Sequence, residues 1–288
     1  MASATKPQPS RLPDQQQQTK TKTARDWLSE ISTQAKARPM AAVAYGRPGV
    51  GKSSLGAAIP GRVFLVDDKE LGIETLKANG LVAKDIPVLP PVSKWQDALD
   101  ILKQLASAKH DYKALVVDAL GGFERMCHEY VVAERFRGEW GEKGFSGFQR
   151  GYEVSLPEWR LFLNHLDDCR ANGMSIMMLG HSIVKPYKNP DGDDYDTYTP
   201  DVHWKTWNLT HRWADMVLFL NYHVEISQDG GRSKGRGGQE RIMYTEHHAA
   251  YEAKNRCALP TEIEMGHSGV EAWANLKAAI DAGRKGGE

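Results

Sequence analysis

Short apolar runs alternate with helical patterns through the middle of this 288-residue chain. The runs are AAVAY (41–45), RVFLVD (62–67), IPVL (86–89), ALVVD (114–118), MSIMMLG (174–180) and MVLFL (216–220). They are continuously apolar, as expected of strands buried on both faces. Between them the apolar positions take helical spacing, over 52–59, from about 68 to 79, 94–109, 121–135 and 155–171. The 94–109 segment is the plainest, with Trp95, Ala98, Leu99, Leu102 and Leu105 on one face. Strand and helix in alternation predict an α/β fold, a mostly parallel sheet with helices on both faces. The texture changes over 221–257. There HVEIS, a stretch DGGRSKGRGGQE and then RIMYTE predict a C-terminal β-hairpin with a long, basic, glycine-rich tip. A last helix is expected over about 269–282.

The ends read differently. Residues 1–23 are rich in Gln, Pro, Thr and Lys with a single Leu, a composition expected to stay disordered. A short N-terminal helix is expected over 24–38, with Trp27, Leu28 and Ile31 on one face. The core is then 39–260, followed by a C-terminal helix and tail over 261–288. Lysines and arginines balance aspartates and glutamates, 37 against 37. A global basic field is therefore excluded, and any nucleic-acid contact must come from local patches. Three scattered cysteines fit a reducing cytoplasm better than a disulfide framework. No apolar run approaches the roughly 18 residues of a membrane helix, and the N-terminus lacks the apolar stretch of a signal peptide.

The loop after the first strand carries the chemistry. Gly46-Arg47-Pro48-Gly49-Val50-Gly51-Lys52-Ser53 satisfies GxxxxGK[ST], and Ser54 follows. The match lies between an apolar strand and a helix, the context a phosphate-binding loop requires. Glycines let backbone N–H groups converge on phosphate oxygens. Lys52 is expected to reach the β- and γ-phosphates, and the Ser53 hydroxyl to ligate Mg²⁺. The ligand class is a nucleoside triphosphate.

Hydrolysis needs a metal-side carboxylate and a group that orients water. Asp118, ending ALVVD, is the candidate metal residue. For the water the candidate is Glu70, in VDDKELG, with Asp67, Asp68 and Glu124 as rivals. His181 ends the strand MSIMMLG, where a polar group is placed to sense a γ-phosphate. The other histidines show no zinc-type spacing with cysteine.

Taken together, the phosphate loop, Asp68-Lys69-Glu70, ALVVD, a strand ending in His181 and the late AKNRCALP (253–260) resemble the RecA-like P-loop ATPases. Specifically, they resemble the small phage-encoded RecA-like proteins of the AAA-ATPase group, some of which act as single-strand annealing recombination proteins. The resemblance spans about 39–260. It implies that Glu70 activates water and that His181 links the γ-phosphate to a mobile DNA-facing loop over about 182–212. That loop holds Lys185, Tyr187, Lys188, Tyr195, Tyr198, Trp204, Lys205 and Trp207, together with an acidic DGDDYD at 191–196. It also implies that Lys254 and Arg256 reach the ATP of a neighbouring subunit, so that active sites are shared in a homo-oligomer. WADMVLFL (213–220) matches the strand after that loop, with Asp215 structural. The basic tip, with Arg232, Lys234 and Arg236, is a second nucleic-acid candidate.

The expected function is an ATP- and Mg²⁺-dependent ATPase acting on single-stranded DNA in phage recombination or annealing. Phage or host replication and recombination proteins are further partners, and no membrane is involved. The expected location is the cytoplasm, that of the host cell if the chain is phage-encoded. The alternative is a RecA-type switch or motor acting on a protein partner, such as a helicase to be loaded. A small-molecule kinase is disfavoured because no Arg-rich lid is visible.

Overall fold

The computed structural model describes residues 28–33, 38–229 and 232–285. Seven α-helices and nine strands lie in it, in the order β1 (Ala41–Gly46), α1 (Lys52–Ala58), β2 (Arg62–Val66), α2 (Gly72–Ala78), α3 (Trp95–Ser107), β3 (Ala114–Asp118), α4 (Leu120–Phe136), α5 (Arg150–Ala171), β4 (Ser175–Tyr187), β5 (Tyr195–Pro200), α6 (Trp204–Trp213), β6 (Met216–Asp229), β7 (Arg232–Tyr244), β8 (Lys254–Asn255), β9 (Glu262–Glu264) and α7 (Gly269–Lys285).

The sheet runs β2-β3-β4-β1-β6-β7-β9. The first five strands are parallel, and β7 and β9 extend the sheet antiparallel. The phosphate-loop strand is central, and β4 separates it from the strand that ends in Asp118. Strand alternation divides the core into two layers. Val43, Tyr45, Leu65, Val117, Met178 and Phe219 face α3–α6, where Trp95, Phe123, Trp159 and Phe162 fill the space. Ala44, Phe64, Val116, Leu179 and Leu218 face α1, α2 and α7 through Leu55, Ile73 and Leu276. Both faces of each parallel strand are thus apolar, which explains the continuous runs.

Several expectations change. IPVL forms no strand; Val88 makes a single bridge to Phe64, because this segment only skirts the β2 edge. Residues 182–212 are not a loop. Strand β4 continues past His181 to Tyr187, pairs with β5 as an antiparallel hairpin, and α6 follows. The basic stretch is not a loop tip either. From Arg232 on its backbone is strand β7, and Asp229 pairs with Arg232; the side chains of 224–237 lie outside the described residues. Beyond residue 260, β9 pairs with β7 and α7 packs on the sheet face that carries α1. The disordered tail expected over 1–23 lies outside the described residues. So does most of the helix expected over 24–38. Within the described stretch 28–33 there is a turn, with Leu28 and Ile31 exposed. Among the described residues, no helix is long and apolar enough to cross a membrane.

Candidate nucleotide site

The carboxyl ends of the parallel strands meet at one edge of the sheet, where open α/β sheets bind their ligands. Gly46 stands opposite His181 and Leu220, and Asp118 opposite Leu179. The phosphate loop leaves β1 there and turns into α1. Gly51 has φ 105°, a left-handed conformation that a side chain disfavours. Val50 is buried under the loop, whereas Arg47, Pro48 and Gly49 form its exposed shoulder.

Lys52 is buried, and its Nζ donates to the carbonyls of Gly46 (2.9 Å) and Arg47 (3.0 Å), so the cation is held at the mouth of its own loop. Burial lowers its pKa. Ser53 Oγ donates to Asp118 Oδ2 at 2.8 Å, joining the two expected metal-side oxygens across 65 residues of sequence. Desolvation pushes Asp118 up to about 6, against the pull of the Ser53 hydrogen bond. His181 Nε2 lies 3.3 Å from Glu70 Oε2. That hydrogen bond, ahead of burial, which opposes it, holds the Glu70 carboxyl below its ordinary range. A cleft of about 370 Å³ takes in Gly49, Lys52, Ser53, Ser54, Glu70, Asp118 and His181, and continues to Leu71, Thr75 and Leu76 on the α2 side.

The donor set suits a Mg²⁺–triphosphate. That cation keeps several waters and needs only one or two protein oxygens besides phosphate. Ser53 Oγ and Asp118 Oδ2, 2.8 Å apart, are the oxygens that could supply them, and His181 Nδ1 is buried at the cleft wall with no hydrogen-bond partner of its own. Among the described residues, no group of three or more His, Cys, Asp or Glu side chains could hold a metal alone.

The rivals of Glu70 are otherwise engaged. Asp68 pairs with Arg125 at 3.1 Å. Glu124 accepts the His203 N–H at the start of α6 (2.9 and 3.0 Å). Asp67 accepts the Lys69 and Ala119 amides (3.0 and 3.4 Å). Lys254 and Arg256 lie elsewhere, because β8 pairs with Met216 and Val217 at the opposite end of the sheet. All three Lys254 hydrogen bonds go to carbonyls at the end of α6, those of His211, Arg212 and Ala214; Arg256 is exposed. Asp215 accepts from the Ala41 amide (3.0 Å) and pairs with Arg170 (2.6 Å), fixing the starts of β1 and β6.

Sequence reasoning missed the back of the phosphate loop. Tyr222 donates its hydroxyl to Gly49 O (3.1 Å), and Arg241 donates to Val50 O (3.4 Å) and Gly266 O (2.7 Å). These residues lie more than 150 positions downstream, and no local pattern points to them.

The aromatic residues expected on DNA divide. Trp207 is buried and hydrogen-bonded to Glu252, and Tyr198 packs on Phe219. Tyr187 stacks on Tyr195 at 5.0 Å along the hairpin, while Lys188 is paired with Asp194. A different exposed set emerges. Helix α4 starts at the sheet edge and packs antiparallel on α5, Phe123 against Phe162 and Cys127 against Ser155, so their connection projects beyond that edge. This connection carries the exposed Trp140 and Phe148. Rings run on from Trp140 through Phe145, Tyr152 and His203 to the exposed Trp204, with Tyr152 and His203 3.8 Å apart and parallel. Lys205 lies over the Trp204 ring at 5.3 Å, but its ammonium is paired with Glu153.

Strand order and site together define a P-loop nucleotide-binding α/β fold, with the phosphate loop leaving the central strand of a mostly parallel sheet. A family model described as an AAA domain matches residues 38–257, and the chain belongs to that family. No curated protein matches it. Among solved structures, the flagellar accessory protein FlaH from Methanocaldococcus jannaschii is similar, with a TM-score of 0.40 and 12% identity over 84% of this chain and 91% of that one.

Proposed function

We propose that the protein binds and hydrolyses ATP with Mg²⁺ and uses that cycle on single-stranded DNA, in recombination or annealing of the phage type. The observation that carries the reading is the meeting, at one sheet edge, of the phosphate loop with the Ser53–Asp118 and Glu70–His181 pairs. Lys52 leaves its loop carbonyls to hold phosphate oxygens. Ser53 and Asp118 would hold the Mg²⁺, which when bound offsets negative charge on the phosphates. Glu70, kept ionised by His181, accepts a proton from the attacking water. The shelf at Leu71, Thr75 and Leu76 receives the base.

For DNA, the support is the exposed Trp140, Phe148 and Trp204, on the side of the sheet where the nucleotide binds. Bases stack on such rings without regard to sequence. His181 begins the outer part of β4, so a change at the nucleotide reaches the β4–β5 hairpin along one strand. Assembly is head to tail. The exposed Arg256, at the far end of the sheet, then completes the cleft of a neighbouring copy, and Lys254 holds its segment in place. One observation favours the second reading, a switch on a protein partner: the hairpin tip carries Asp191, Asp193 and Asp194, which repel a nucleic-acid backbone and suit a basic protein surface.

The test measures ATP hydrolysis with and without single-stranded DNA, in wild type and Lys52→Ala, alongside DNA binding at two salt concentrations. Stimulation by DNA that Lys52→Ala abolishes, with binding that weakens as salt rises, is the expected result. Robust hydrolysis indifferent to DNA, with no binding at low salt, overturns the DNA reading and leaves the protein partner.

A further inference from the structure

Asp67 is buried just past the end of β2; it stands outside the 370 Å³ cleft but lines an adjoining cavity of about 290 Å³ that shares Glu70 and His181 with it. Its amide donates to the Asp118 carbonyl (3.2 Å), and its carbonyl accepts from the Glu70 amide (3.2 Å). Its carboxylate repeats the pattern: Oδ1 accepts the Lys69 amide at 3.0 Å, and Oδ2 the Ala119 amide at 3.4 Å. Arg125 of α4 stands 3.6 Å from Oδ1. Room for the carboxylate exists because residue 122 is glycine, since a Cβ there would fall 2.0 Å from Asp67 Oδ2. A buried carboxylate is unfavourable unless its hydrogen bonds are met, and here two backbone amides, one from the segment of Glu70 and one from that of Asp118, meet them.

We propose that Asp67 is a positioning residue. It ties the loop that carries Glu70 to the turn after Asp118, and so fixes the water-activating carboxylate relative to the metal-side one. Gly122 makes the space for that tie. The proposal rests on the reading of Glu70 as the water-activating group. Its range of effect is set by orientation, since a displacement of about 1 Å in a reacting group can cost on the order of 100-fold in rate.

The experiment uses the full chain and compares single-turnover ATP hydrolysis with the affinity for a fluorescent ATP analogue. The variants are Glu70→Gln, Asp67→Asn, the double variant, Gly122→Ala and Arg125→Gln. Asp67→Asn is expected to slow hydrolysis by roughly 10- to 100-fold while leaving analogue affinity near wild type. Gly122→Ala, which pushes the carboxylate aside, reproduces that split. The double variant is no slower than Glu70→Gln alone, because Asp67 acts through Glu70. Hydrolysis by Asp67→Asn at the wild-type rate overturns the proposal, as does a loss in the double variant equal to the product of the single losses. Wild-type turnover in Glu70→Gln overturns the reading of Glu70 and the tie with it. If Asp67→Asn does not fold, Arg125→Gln on the helix surface decides: slower hydrolysis at unchanged affinity supports the tie, and an unchanged rate overturns it.

Discussion

Glu124 accepts the His203 amide with both carboxylate oxygens and is nearly enclosed. Burial pushes its pKa up to about 7 from an ordinary 4.5, against the pull of its hydrogen bonds. Between those two values the folded protein keeps a proton that the unfolded chain has released. Stability from this group is therefore complete below pH 4.5 and lost as pH rises through about 7. Glu124→Gln removes the dependence. The stability of wild type relative to that variant should fall between pH 4.5 and 8, by on the order of 3 kcal/mol at most, as read by urea unfolding at each pH. A flat difference would show that Glu124 stays ionised when folded. In the sequence only the Asp68-Lys69-Glu70 pattern sets Glu70 apart from Glu124; each is an acid near the start of a helix, and their partners across the fold are His181 and the start of α6.

At the scale of elements, Lys254 fastens α6 to β8. Three carbonyls at the end of α6 converge on one ammonium, where a cation also meets the negative end of the helix. Lys254→Met should cost about 1–3 kcal/mol of stability, measured by chemical unfolding, and leave the nucleotide affinity of the isolated subunit unchanged. A variant as stable as wild type would return Lys254 to the trans role that its sequence context implies. The sequence showed the length of most elements well, because strands buried on both faces and amphipathic helices leave distinct periodicities. It misplaced the start of α5, which begins at Arg150 and carries Pro157 inside it. It also took 182–212 for a loop. Strands exposed to solvent, rich in Lys, Asp and Tyr, lack the apolar run that revealed the buried half of β4.

For the whole molecule, the prediction concerns the exposed aromatic face. Phe148→Ala and Trp140→Ala should each weaken single-stranded DNA binding by about 1–3 kcal/mol. Both side chains are substantially exposed, and Phe148 wholly so, which leaves folding and ATP hydrolysis without DNA near wild type. Fluorescence anisotropy of a labelled oligonucleotide reads the change, and equal affinities would move the DNA site elsewhere. Of the exposed rings, Trp204 stood within the stretch that the sequence pointed to, whereas Trp140 and Phe148 did not. Exposure of a particular ring depends on which helix covers it.

By itself the sequence determined the α/β class, the parallel strands and the phosphate loop with Lys52 and Ser53. All of these rest on periodicity or on residues adjacent in the chain. Only the tertiary structure decided that Ser53 meets Asp118, that Glu70 rather than Asp67, Asp68 or Glu124 meets His181, and that Lys254 is engaged at the far end of the sheet. Those pairings join residues dozens to more than a hundred positions apart. They follow from strand order, and strand order is set by how whole faces pack rather than by any local pattern.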